Sequence, residues 1–302
     1  MQVETHQTNH TYHPLFSSEE ADVVLGSKDD TTYFRLHSFT LKMASSWFRA
    51  MFTLPQQSQQ TPVSATPTPP PSHPHTASSD VIRLDEDADT LEGLFRMICG
   101  QPIPRLDSYD VIEPLLYAAE KYDMPGPISI IRALVMTPAL LEEPLRLFAI
   151  ACRYGWEDEA RLASAQTLTL NIHEPQHRPH LQKLGTDALL DLFSLHRERR
   201  ERLRQRLNEA PFIDDRGPAT CTACGYSIDY HTWRELKYKI IMEMDERPLG
   251  DQICTPGLIE WREARACWDA RCTNVGCSRV LYDKVETARV IKECIDQLPT
   301  TV

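Results

Sequence analysis

The chain has no apolar run that could cross a membrane: nowhere in its 302 residues does a stretch approach the roughly 18 apolar side chains a bilayer helix requires. Its first residues, MQVETHQTNHTYHPLF, lack the basic start and apolar core of a secretory leader. The expected location is therefore cytoplasmic or nuclear, with no membrane partner. No glycine-rich phosphate loop, no nucleophile elbow and no His-Glu-x-x-His helix occurs, so the common patterns of phosphoryl transfer, acyl transfer and metalloprotease chemistry are missing. The chain reads as a non-enzyme with no catalytic residues and no organic cofactor. An excess of basic charge is missing too. The 32 Lys and Arg stand against 43 Asp and Glu, and the resulting formal charge of −11 opposes nonspecific attraction to nucleic acid or anionic lipid. The cysteines number nine, and an odd count in a reducing compartment argues for buried thiols or metal ligands over a disulfide framework.

What is present is ordinary folding material. With 41% hydrophobic and 25% charged residues, the length suffices for two compact domains, and no long-period repeat divides it. Residues 54–79, LPQQSQQTPVSATPTPPPSHPHTASS, hold seven of the 22 prolines and almost nothing apolar, so they read as a disordered insert within one domain. Before it, Ala21 to Leu25 and Thr31 to Leu36 predict a β-hairpin turning at Asp29-Asp30. Phe39, Leu41, Met43, Trp47, Phe48 and Met51 then follow at helical spacing, as two short helices broken near Ser45-Ser46. After the insert, Val81 to Leu84 predict a third strand, and Asp87 or Asp89 caps a helix that Gly100 stops. Ser108 caps the next helix, which Pro114 is expected to kink, and Pro125-Gly126-Pro127 separates it from Ile128 to Met136. Residues 139–170 predict an antiparallel helical pair turning at Tyr154-Gly155.

The order hairpin, helical pair, strand, helices coincides with particular residues. These are Asp22-Val23-Val24-Leu25, Phe34-Arg35-Leu36-His37, the run Leu41 to Phe52 containing Ala44-Ser45-Ser46-Trp47-Phe48, and Ala118-Ala119-Glu120-Lys121-Tyr122. Together they resemble the BTB/POZ signature over residues 19–136, in the form seen in the fungal branch of that family. The resemblance implies an α+β domain, a three-stranded sheet capped by helices, with Asp22, His37, Ser45, Phe48 and Tyr122 as its fold signature. It further implies protein partners: a homodimer through the N-terminal helix region, a cullin scaffold for which the chain is a substrate adaptor in ubiquitin ligation, or a transcriptional assembly. In the family the residue after the helix-opening His is often Lys or Arg and lines a pocket used for corepressor contact; here it is Ser38, so that pocket is not expected. The residues ahead of Ala21 are also too few and too polar to supply the family's long dimerisation helix. Locally, His37 reads as a hydrogen-bonded structural histidine and Asp22 as a buried or half-buried polar anchor.

Residues 1–18 are expected to be disordered, 137–210 to form an all-α extension, and 211–302 a small cysteine-rich helical module. A helix over 181–210 carries Arg197, Arg199, Arg200, Arg202, Arg204 and Arg206, six arginines in ten residues. These invite a nucleic-acid or nuclear-regulator reading. Interleaved Glu198 and Glu201 favour a solvated helix surface instead. Farther on, Cys221-x2-Cys224-Gly225 is a knuckle in which two thiolates can turn toward one ion. The second half is expected at Cys272-x4-Cys277, separated from Cys224 by 47 residues, with helices at Trp233 to Glu246 and Ile259 to Asp269 between. Four thiolates on structural zinc would staple a module whose core is otherwise thin. Cys254, Cys267 and His231 are possible substitutes, and Cys294 reads as core.

Overall fold

The computed structural model describes residues 11–54, 81–212 and 219–302; apart from Leu54, the insert at 54–79 and Asp80 lie outside them. The fold is α+β, with helices predominating over one small sheet. The chain divides into two units, residues 1–140 and 141–302.

The sheet of the first unit has four strands, not three. β1 (Thr11–Tyr12) pairs parallel with β3 (Thr32–Leu36), which pairs antiparallel with β2 (Val23–Gly26), and β4 (Ile82–Arg83) pairs parallel with β2 on its other side. Of the N-terminal stretch expected to be disordered, residues 11–18 are ordered, and residues 1–10 lie outside the described residues. Its anchor is Phe16, buried against the rings of Phe34 and Phe95 at centroid distances of 5.9 and 6.0 Å. The hairpin turn is held by the Asp29 carboxylate, which accepts from Ser27 Oγ at 2.5 Å and Thr31 Oγ1 at 2.7 Å. Asp30 takes a φ of 58°, a left-handed conformation that aspartate tolerates in turns. Its carboxylate then receives Arg83 Nε and Nη2 at 3.2 and 2.9 Å, tying β4 to the turn.

Helices cover this sheet: α1 (Ser38–Ala44), α2 (Ser46–Met51), α3 (Ala88–Ile98), α4 (Tyr109–Lys121), α5 (Pro125–Leu134) and the short α6 (Pro138–Leu141). Asp87 caps α3 by accepting from Thr90 N at 2.7 Å, and Gly100 ends it with φ +68°. Ser108 caps α4, which continues through Pro114. Leu25, Phe34, Leu41, Phe48, Leu94, Phe95 and Ile112 are fully enclosed, so sheet and helices share one core. α1 contributes only Leu41 to it.

Ser45, Phe48 and Tyr122 meet where α2 begins and α4 ends, while Asp22 and His37 stand at the start of α1. Asp22 is exposed, where burial was expected, because its role is at the surface: it accepts from both Ser38 N (2.7 Å) and Ser38 Oγ (2.6 Å), fixing the start of α1. His37 occupies the N-cap position but is exposed and makes no side-chain cap bond, so the hydrogen-bonded histidine expected there is replaced by the Asp22–Ser38 pair. Ser45 caps α2 through Phe48 N at 3.0 Å and donates its hydroxyl to the Tyr122 carbonyl. The Tyr122 ring packs on Trp47 and Phe48 at 5.2 and 5.6 Å, and its hydroxyl bonds the Glu86 carboxylate.

The second unit begins with α7 (Pro144–Tyr154) and α8 (Glu157–Thr167), antiparallel about Gly155 in the left-handed conformation at φ 66°. It continues with the short α9 (Arg178–Leu181), α10 (Thr186–Arg206), α11 (His231–Glu246), the short α12 (Leu258–Glu260), α13 (Arg262–Asp269) and α14 (Lys284–Asp296). The helix expected over 259–269 is broken at Trp261, whose extended ψ of 139° separates α12 from α13. A boundary between extension and module at 210/211 does not divide the structure. Leu203 and Leu207, at the end of α10, lie in one core with Trp233, Leu236 and Ile240 of α11, Cys267 of α13, and Ile291, Cys294 and Ile295 of α14.

The arginine cluster on α10 is mostly engaged within the chain. Arg202 pairs with Glu198, Arg204 with Glu201 and Arg206 with Glu209, while Arg200 reaches Asp245 at 2.6 Å. Arg199 departs from the expected solvated face: only 2% exposed, it donates to the carbonyls of Pro248, Leu249, Leu298 and Pro299. Among the described residues no helix is long and apolar enough to cross a membrane.

Candidate metal centre

Two matched turns build the site. In the first, Thr220 and Ser227 face each other as an antiparallel bridge, Cys221 N donates to Tyr226 O at 2.8 Å, and Gly225 N donates back to Cys221 O at 2.8 Å. In the second, Arg271 faces Val280, Cys272 N donates to Arg279 O at 2.8 Å, and Cys277 N donates to Asn274 O at 2.9 Å. Both turns close with the residue after the second cysteine in the left-handed region: Gly225 at φ 70° and Ser278 at φ 45°. Glycine takes that conformation without cost, whereas serine does not. The sequence marks the first turn by its glycine and leaves the second unmarked.

These turns bring Cys221, Cys224, Cys272 and Cys277 together, with all four Sγ atoms within 4.8 Å of one another. Cys221 and Cys277 sulfurs are 3.8 Å apart, Cys224 and Cys272 sulfurs 3.6 Å. Four thiolates placed tetrahedrally at about 2.3 Å from a zinc ion have sulfurs about 3.8 Å apart, so the spacing fits that ion. Cys221 and Cys272 are buried, Cys277 is half-buried and Cys224 exposed. The substitutes considered from sequence stand elsewhere: His231 pairs with Asp229 at 3.2 Å on the surface, Cys267 and Cys294 lie in the core, and Cys254 packs against it.

The thiols of the cluster differ in acidity. Backbone amides of Ala223 and Cys224 point at Cys221 and hold its thiol down at about 6. At Cys272 the Asn274 amide also favours the thiolate, but burial and the neighbouring Cys224, Cys221 and Cys277 outweigh it and push the thiol up to about 12. Cys277 is raised as well: the Arg279 amide favours its thiolate, and burial and the Cys224 and Cys221 thiols overcome it. The Cys221 thiolate forms readily, while the Cys272 and Cys277 thiolates are opposed by burial and by their neighbouring cysteines, an opposition that a divalent cation at their centre would remove.

No family model matches the chain, and no curated protein matches it.

Proposed function

We propose that the chain is a protein-interaction adaptor with two binding parts. Residues 19–136 act as a BTB/POZ domain that docks one partner, and residues 141–302, stapled by structural zinc on Cys221, Cys224, Cys272 and Cys277, receive another. The observation that carries the adaptor reading is the outward face of α1. Phe39 and Met43, one helical turn apart, are 72% and 67% exposed, while the same helix buries only Leu41. Large apolar side chains left together in water mark contact surfaces for proteins. The Asp22–Ser38 and Ser45–Tyr122 bonds support the BTB/POZ reading, since they give structural work to the residues on which the resemblance rests.

Zinc, when bound, supplies a cross-link between two turns 48 residues apart, a span that the core of α11 and α13 must otherwise close alone. Four thiolate ligands leave no open position for water, so the metal's part is structural.

The test is affinity purification of the full chain beside Phe39→Asp/Met43→Asp and Cys221→Ser/Cys272→Ser variants. A reproducible partner lost with the first variant, and a different one lost with the second, is expected. Recovery of a cullin identifies the chain as a ligase substrate adaptor, and its absence beside another partner excludes that form. A partner set indifferent to both variants contradicts the adaptor. The alternative, a nuclear regulator touching nucleic acid, has less support because five of the six α10 arginines are bonded within the chain. An electrophoretic shift persisting at about 150 mM salt would favour it.

A further inference from the structure

A cavity of about 320 Å3 in the second unit shares no lining residue with the cysteine cluster, and its walls include His173, Phe193, His196, Arg197, Arg200 and Asp245. Four of these six side chains carry or can carry positive charge. Asp245 is answered by Arg200 Nη1 at 2.6 Å, and the rest of that guanidinium meets Glu201. Arg197 is exposed and has no acidic partner among the described residues. His173 lies flat on Phe193, with ring centroids 5.5 Å apart and planes 13° from parallel, which restricts its ring. His196 is 6% exposed and is held by Thr167 Oγ1 at 3.1 Å from Nε2.

A second observation concerns the charge close by. Arg199 is buried, and its hydrogen bonds end on neutral carbonyls; no carboxylate answers it among the described residues. A buried guanidinium without a counter-ion projects its field strongly through the low-dielectric interior. His196 registers that field: burial first, then His173 and Arg199, hold its pKa down at about 4, so the ring is neutral. The cavity thus combines an unpaired arginine, two oriented imidazoles and a positive background.

The geometry points to a binding site in this cavity for a small phosphate, either the inorganic ion or the head of a small monoester, taken by Arg197 and His173. Phosphate offers more acceptor oxygens and more charge at neutral pH than a carboxylate does, and so can serve the Arg197 fork and the imidazoles together.

The full-length protein, kept in chloride buffer at constant ionic strength, would be titrated calorimetrically with inorganic phosphate and separately with phenyl phosphate, with acetate as the carboxylate control. Saturable one-site binding is expected, weakened about tenfold or more by Arg197→Gln and by His173→Gln, the loss of one charge-assisted hydrogen bond in each. Nuclear magnetic resonance signals of the His173 and His196 rings should shift on titration. Arg197 is a surface residue, so its replacement leaves the fold intact, which circular dichroism checks. Binding of the inorganic ion alone identifies that source, and tighter binding of phenyl phosphate identifies the monoester. Absence of saturation with either at about 10 mM, acetate binding as tightly as phosphate, or binding unchanged in both variants overturns the site.

Discussion

Ser45 bonds to Tyr122 across 77 residues of sequence, its hydroxyl donating to the Tyr122 carbonyl while its oxygen accepts from Phe48 N. One side chain therefore caps α2 and satisfies a buried carbonyl at the end of α4. Ser45→Ala removes both bonds and leaves the carbonyl unpaired, so a loss of about 2 to 3 kcal/mol is expected. Urea unfolding followed by circular dichroism reads it, and a loss below about 0.5 kcal/mol, ordinary for a surface site, would contradict the linkage.

Arg199 and Arg197 are two residues apart in the same helix and should behave oppositely. Arg199→Met strips donors from four carbonyls, at positions 248, 249, 298 and 299, and is expected to cost about 3 kcal/mol or more. Arg199→Lys should not restore it, because an ammonium lacks the planar fork that reaches all four. Arg197→Ala should stay within about 0.5 kcal/mol. Similar losses for both would mean that α10 does not bury the side it presents here.

Acid should weaken the second unit through His196. Its folded pKa of about 4 lies below the ordinary 6.5, so the unfolded chain takes up the proton first as pH falls. The stability is fully present above about 6.5 and is lost between 6.5 and 4, by at most about 3 kcal/mol. His196→Asn should flatten that part of the pH profile, and a wild-type curve level between pH 7 and 4.5 would refute the assignment.

The two knuckles share a left-handed position filled by Gly225 in one and Ser278 in the other, and substitution should expose the difference. Gly225→Ala forces a side chain into the left-handed region at φ 70° and is expected to destabilise by about 1 kcal/mol. Ser278→Gly relieves the same condition at φ 45° and should be neutral or stabilising. Thermal unfolding of the metal-loaded protein distinguishes them, and an equal loss in both would remove the equivalence of the turns.

Sequence made some of this legible and hid the rest for identifiable reasons. The hairpin, the α3 and α4 caps at Asp87 and Ser108, and the Gly155 turn all announce themselves through residues with strong local preferences. β1 did not, because Thr11 and Tyr12 form a strand only by pairing with Thr32 and Tyr33, and two residues carry no alternation of their own. Asp22 is exposed where a buried or half-buried anchor is expected, since the pattern marks a partnered aspartate but not whether its bond to Ser38 lies at the surface. Arg199 looked like its neighbours because backbone carbonyls, its acceptors, leave no trace in sequence. The cysteine set was readable in its first half from Cys-x2-Cys-Gly, and in its second only as the best remaining pair, because Ser278 conceals the turn that Gly225 advertises.

In the proposed function, Cys221, Cys224, Cys272 and Cys277 hold a structural metal on which the second unit depends. The decisive measurement is the metal content of the full chain, purified without chelators and read by inductively coupled plasma mass spectrometry. About one zinc per chain is expected, lost together with cooperative unfolding of the second unit in Cys221→Ser/Cys272→Ser. Less than about a tenth of an equivalent, in a protein that still unfolds cooperatively, would contradict it.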